Sequence, residues 1–235
     1  MSNRSIDKTR REFFKHLAAL TGTVVIAPMA IACAETTKPA VRPIARVDAS
    51  GAPDIPLVKP ANWDPIAFNR DRGLKGAIPV SYYDDINGPD GDTKHLGKHL
   101  PYIPDIKSSD YPKGYVPIMW GDPSKGFAQH PNSAQHSPGY TVGHWYNWVR
   151  VRNASIENAQ EIESTFHAWP GPRDGADATV FSVLGSGKIE DNDGKNTIYM
   201  LSKPADLKPG DTMRIYGHCL YHGEYVDFVD FTLEQ

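Results

Sequence analysis

Cysteine is nearly absent from this 235-residue chain, which has only Cys33 and Cys219. Long helical patterning is missing too: beyond residue 34 no apolar stripe at the helix period lasts more than two turns, which argues against a helical bundle. No internal repeat appears, so solenoid architectures are excluded. Positive charge is not in excess, with 25 Lys and Arg against 28 Asp and Glu. A nucleic-acid partner is therefore not expected, because binding phosphates requires a basic face.

What is present begins at the N-terminus. Thr9-Arg10-Arg11-Glu12-Phe13-Phe14-Lys15 precedes an apolar stretch from Leu17 to Ala32 that is too short and too rich in Ala and Thr for a membrane span. The pattern resembles a twin-arginine export signal over residues 1–34, which predicts a periplasmic protein exported after folding, often around a cofactor. Cleavage is expected at Ala32-Cys33-Ala34. A second route makes Cys33 a lipid-modified N-terminus that anchors the protein to a membrane. Loss of residues 1–34 leaves 20 basic against 26 acidic side chains. Either route leaves Cys219 as the only thiol buried in the mature fold, so no intramolecular disulfide can form in an oxidising compartment. Metal ligation is the most protective reason for keeping such a thiol.

Residues 35–62 are rich in Pro and Ala and read as a linker or an arm lying along a surface. From Trp63 to Gly126, prolines and paired aromatics predict ordered loops with short strands. After Gly143 the chain breaks into β-rich runs, "HWYNWVRVRN", "QEIESTFHAW", "DATVFSVLG", "NTIYMLS", "DTMRIYGHC" and "EYVDFVDFTLE", separated by turn segments such as "GPRDGAD". This spacing predicts one all-β domain, an immunoglobulin-like antiparallel β-sandwich, with an irregular N-terminal extension.

In "DTMRIYGHC" the strand period puts Met213, Ile215, Gly217 and Cys219 on one face and Arg214, Tyr216 and His218 on the other. His218 therefore points away from Cys219. If the strand ends there, the turn at Leu220-Tyr221 brings His222 back beside the sulfur, and Gly223 permits the bend. Cys-x-x-His at a strand end suits one metal ion, although a buried Cys near a surface His gives the same pattern. Further donors are His99, His130, His136 and His144. His144 opens a strand on which Tyr146 and Trp148 are expected to share its face, so it also reads as a half-buried strand-end histidine. His130 precedes Pro131 and also reads as an exposed loop residue.

Four short motifs occur in order: Gly97-Lys98-His99-Leu100-Pro101, His130-Pro131-Asn132, His144-Trp145-Tyr146-Asn147-Trp148-Val149, and Cys219-Leu220-Tyr221-His222-Gly223. Together they resemble the superoxide reductases, the desulfoferrodoxin and neelaredoxin family, from about residue 97 to the C-terminus. The resemblance implies an iron domain over residues 96–235, preceded by an extension over 35–95. It implies one non-haem iron held by His99, His130, His144, His222 and Cys219, with His136 as the substitute for His144 because it lies at the family's shorter spacing. It also implies reduction of superoxide to hydrogen peroxide, with Lys98 steering the anion and ordering water for proton delivery, and an electron donor that the sequence does not identify. Gly97 stands where the family often has a glutamate, and no Cys-x-x-Cys pair is present for a second iron module.

Two alternatives belong to other classes. A cupredoxin-like periplasmic electron carrier also uses Cys-x-x-His after a strand, but it would leave some of these histidines unused, and no Met follows His222. A non-enzymatic exported binding module would make the histidines incidental. The extension is expected either to cover the site or to mediate homo-oligomerisation.

Overall fold

The computed structural model describes residues 49–134, 143–169, 180–185, 189 and 194–233. The expected export segment, with Cys33, lies outside them. Eight strands form two antiparallel sheets: β1 (Pro101–Tyr102), β2 (Tyr115–Trp120), β3 (Tyr146–Asn153), β4 (Glu161–Thr165), β5 (Phe181–Val183), β6 (Thr197–Ser202), β7 (Thr212–Cys219) and β8 (Gly223–Asp230). The sheet orders are β1-β2-β6-β5 and β4-β3-β7-β8. Each of the six β-rich runs supplies one of the strands β3 to β8, and the result is the all-β sandwich that the patterning predicts.

The core between the sheets follows the strand period. Val116, Ile118 and Trp120 of β2 and Tyr199 and Leu201 of β6 meet Val149 and Val151 of β3 and Met213 and Ile215 of β7. Cys219 belongs to this inward row and is fully buried, whereas His218 faces outward, as its parity requires.

The expectation for β3 needs one correction. Tyr146 pairs with Cys219, but Trp148 pairs with His218, because the register shifts between Tyr146 and Trp148. The extra residue, Asn147, makes a β-bulge that turns Trp148 to the outer face while Tyr146 stays inside. Strict alternation therefore fails at this one place.

From Trp63 onward the segment before residue 96 is ordered, as expected, and it packs on the sandwich through short helices and loops. Helix α1 (Pro65–Arg72) starts at Asp64, whose carboxylate accepts the Ala67 N–H, and Pro65 fills its first position. The side chain of Asn69 then acts as a short piece of strand: Nδ2 donates to the Val226 carbonyl at 2.7 Å and Oδ1 accepts the Val226 N–H at 2.9 Å. The outer edge of β8 is thereby covered rather than left open to pairing with another chain. Arg72 pairs with Glu224 at 3.0 Å, and the Trp63 indole N–H donates to Asp227. Ile86 of a second short helix, α2 (Tyr83–Asn87), forms a small apolar cluster with Ile78, Leu96 and the β8 residue Tyr225.

The β7–β8 turn is tight. Gly223 has φ of 88°, and a Cβ there would overlap the Ala77 carbonyl, so the extension closes directly over the turn that carries His222.

Asn69→Ala should strip two buried backbone groups of β8 of their partners. Each such loss costs about 1–3 kcal/mol, so a destabilisation of roughly 2–6 kcal/mol is expected in urea unfolding. A change below about 0.5 kcal/mol would mean that the edge is not closed by this side chain.

Candidate metal centre

Five side chains from widely separated parts of the chain converge at one end of the sandwich. His99 ends the 3-10 turn Gly97–His99, and His130 lies in the loop after β2. His144 lies just before β3, Cys219 ends β7, and His222 sits in the turn before β8. One donor atom from each lies within 4.8 Å of all the others, and every one of the five residues is buried. The sequence-derived set is thus brought together in full. His136 lies outside the described residues, and His144 occupies the place for which the two were rivals.

The imidazoles form a ring. Neighbouring centroids are 5.0 Å apart for His99–His130, 4.2 Å for His130–His144, 4.6 Å for His144–His222 and 4.6 Å for His99–His222. The distance across the ring, His99–His144, is longer at 6.2 Å. The Cys219 Sγ lies 3.6 Å from His130 Nε2 and 3.7 Å from His222 Nδ1.

Neighbouring groups decide which nitrogen of each ring is available. His99 Nδ1–H donates to the His95 carbonyl at 2.6 Å, so its Nε2 carries the lone pair, 3.1 Å from His222 Nδ1. Asn132 Nδ2 donates to the Gly194 carbonyl, which leaves Oδ1 to accept from His130 Nδ1–H at 2.9 Å and from the Tyr199 hydroxyl at 2.6 Å. His130 therefore turns its Nε2 lone pair toward the sulfur. Hydrogen bonds of this kind fix the tautomer and the orientation of metal-ligating histidines.

Aromatic residues hold the ring from behind. Tyr225 stacks on His99 with centroids 4.2 Å apart, and its hydroxyl donates to the His222 carbonyl. Tyr146, stacked on Trp120, donates its hydroxyl to the His99 carbonyl at 2.9 Å. His144 is tied down by paired backbone hydrogen bonds with Ser133.

The donor set fits a metal ion. With metal–nitrogen bonds of about 2.1 Å, adjacent donors lie about 3.0 Å apart and opposed donors about 4.2 Å apart. The 3.1 Å His99–His222 separation and the 4.8 Å overall limit agree with that scale. Burial, with Lys98 and neighbouring imidazoles adding to it, holds His99 and His222 well below the ordinary histidine range, so both stay neutral and fit to coordinate. Burial pushes the Cys219 thiol up to about 11, so a cation is what would make it a thiolate.

Lys98 is partly buried beside the ring, and its charge acts on Cys219, His99 and His222. Burial lowers its pKa, while Cys219 and Asp85 oppose the shift. Gly97 is buried, and a Cβ there would overlap the Phe127 ring and the Asp92 carbonyl. No side chain fits at this position, glutamate included.

Sequence reasoning left out the residues that orient the donors. Asn132 stands in the quoted His-Pro-Asn triplet, where an amide two residues after a histidine is a readable signal. The His95 carbonyl and the hydroxyls of Tyr146, Tyr199 and Tyr225 have no such local signature.

Two outcomes are expected. Asn132→Ala should weaken metal binding by about 10–100-fold, measured by competition with a chromophoric chelator, while far-ultraviolet circular dichroism stays as in the wild type. Between about pH 7 and 9 His99 and His222 are already neutral and the thiol is still protonated. Metal uptake should therefore release about one proton per chain, and apparent affinity should rise about tenfold per pH unit. Calorimetry in buffers of different ionisation enthalpy measures this release, and a pH-independent affinity would contradict coordination by Cys219.

Among the described residues, no helix is long and apolar enough to cross a membrane. Comparison of the chain with protein-family models, curated proteins and solved structures finds no match.

Proposed function

We propose that the protein is an iron oxidoreductase of the superoxide reductase kind, with one iron held by His99, His130, His144, His222 and Cys219. The observation that carries this reading is the buried ring of four imidazoles with a single thiol beside it. Structural zinc sites use four donors, and blue-copper sites use two histidines, a cysteine and a weak axial group, so either would leave donors over. An ion held by these five donors could also take up a small anion. Iron in such a site supplies one electron to superoxide, which takes up two protons and leaves as hydrogen peroxide.

The protein's own groups do the rest. Asn132 and the His95 carbonyl hold two imidazoles in the coordinating tautomer. Cys219, deprotonated by the cation, supplies the electron-rich donor. Lys98 Nζ provides the positive charge that draws the anion and holds a proton for delivery. Its field acts within a few ångströms, whereas repulsion from the net negative surface is screened over a Debye length of about 8–10 Å. The twin-arginine pattern at Arg10-Arg11 supports export of a chain that folds around its metal first.

The purified protein should contain about one iron per chain and show a thiolate-to-iron absorption band that Cys219→Ser abolishes, together with superoxide-dependent formation of hydrogen peroxide. Copper in place of iron, or unchanged turnover in Cys219→Ser, would overturn the reading. Lys98→Ala should keep its iron and react about tenfold more slowly or worse, with a shallower dependence on ionic strength. An unchanged rate and salt slope would remove Lys98 from the mechanism.

A further inference from the structure

A reductant must return the electron that superoxide takes, and a groove beside the site suits one. It has a volume of about 310 Å³ and lies over the start of β3 and the end of β4, with apolar walls from Trp145, Trp148, Phe166 and Leu220. This is near the lower end for small-molecule pockets and leaves room for one or two fused rings. Its polar groups, from Asn147, Thr165 and His167, can donate or accept hydrogen bonds, and the lining includes no carboxylate, lysine or arginine. Such a lining selects a flat, neutral molecule bearing hydroxyl or carbonyl groups.

The groove is built into the fold. The β-bulge at Asn147 places Asn147 and Trp148 side by side on the outer face. The Trp145 indole N–H donates to the Phe166 carbonyl, and its ring lies over Gly143, where a Cβ would overlap it. Trp148 is fixed between the stacked His218 ring and the Arg150 guanidinium, 5.0 Å from the Trp148 ring centre.

Two walls of the groove are joined directly to donors of the metal centre. Trp145 follows His144 in the chain, Leu220 follows Cys219, and the Leu220 N–H donates to the Trp145 carbonyl at 2.9 Å. A handful of covalent bonds thus separates Leu220 from the Cys219 sulfur.

We propose that this groove binds a neutral planar hydroquinone of one or two fused rings, and that the Leu220–Cys219 backbone carries its electrons to the metal centre. The proposal rests on the redox reading given above. One hydroquinone is oxidised to the quinone, losing two electrons and two protons. The electrons leave in two single-electron steps and serve two superoxide ions. Those two ions take up four protons, two from the hydroquinone and two from solvent, to give two molecules of hydrogen peroxide.

The test uses 1,4-naphthohydroquinone and the purified, metal-containing protein. Tryptophan fluorescence should be quenched saturably, and Thr165→Trp, which fills the groove from an exposed position, should weaken binding at least tenfold with iron content and circular dichroism retained. Re-reduction of the oxidised centre, followed by the thiolate band, should saturate with hydroquinone concentration and fall at least tenfold in the same variant. His167→Ala should weaken both effects several-fold. A wild-type protein that holds iron but shows no saturable quenching, or a Thr165→Trp protein that binds and is reduced like the wild type, would overturn the inference and leave the reading of the metal centre intact. A protein that binds naphthohydroquinone but contains no iron would overturn both.

Discussion

Bringing four imidazoles and a thiol within 4.8 Å of one another, all out of water, is the constraint on which the rest of the structure depends. Lone pairs on His99 Nε2 and His222 Nδ1 facing each other at 3.1 Å repel unless a proton or a cation lies between them. A divalent cation held by these donors would offset the burial of all five at once, and so would couple folding to the ion. Hydrogen bonds from His99 to the His95 carbonyl and from His130 to Asn132 supply the direction that a cation alone cannot.

The sandwich meets this constraint at one of its ends. Pairing of Tyr146 with Cys219 and of Cys219 with Gly223 sets the sulfur on the inner face, directly before the turn that returns His222 to it. The extension completes the arrangement from the other side. Through Asn69 it closes the β8 edge, and through Ile78, Ile86 and Leu96 it packs on Tyr225, whose ring supports His99. The loop-rich stretch between Trp63 and Leu96 thus forms part of the wall of the site.

Much of this was legible in the sequence because it depends on local periodicity. The period of two in "DTMRIYGHC" separates Cys219 from His218, and Cys-x-x-His with a following glycine predicts the turn; both are found. The β-rich runs after Gly143 supply six of the eight strands. What escaped depends on contacts distant in the chain. The bulge at Asn147 flips Trp148 because β7 sets the register, and nothing in "HWYNWVRV" announces an extra residue. Asn69 mimics a strand only once β8 is beside it, and Gly97 is required only once Phe127 lies across it. Such effects emerge from packing rather than from patterning.

The bulge also links the two functional readings, since the residue shift that keeps Tyr146 inside against the metal centre opens the groove outside. The central claim is that these five side chains hold one iron together. Iron K-edge X-ray absorption of the purified protein tests it most directly. A single sulfur scatterer with four imidazole nitrogens around iron is the predicted result, and an iron shell without sulfur would contradict the account.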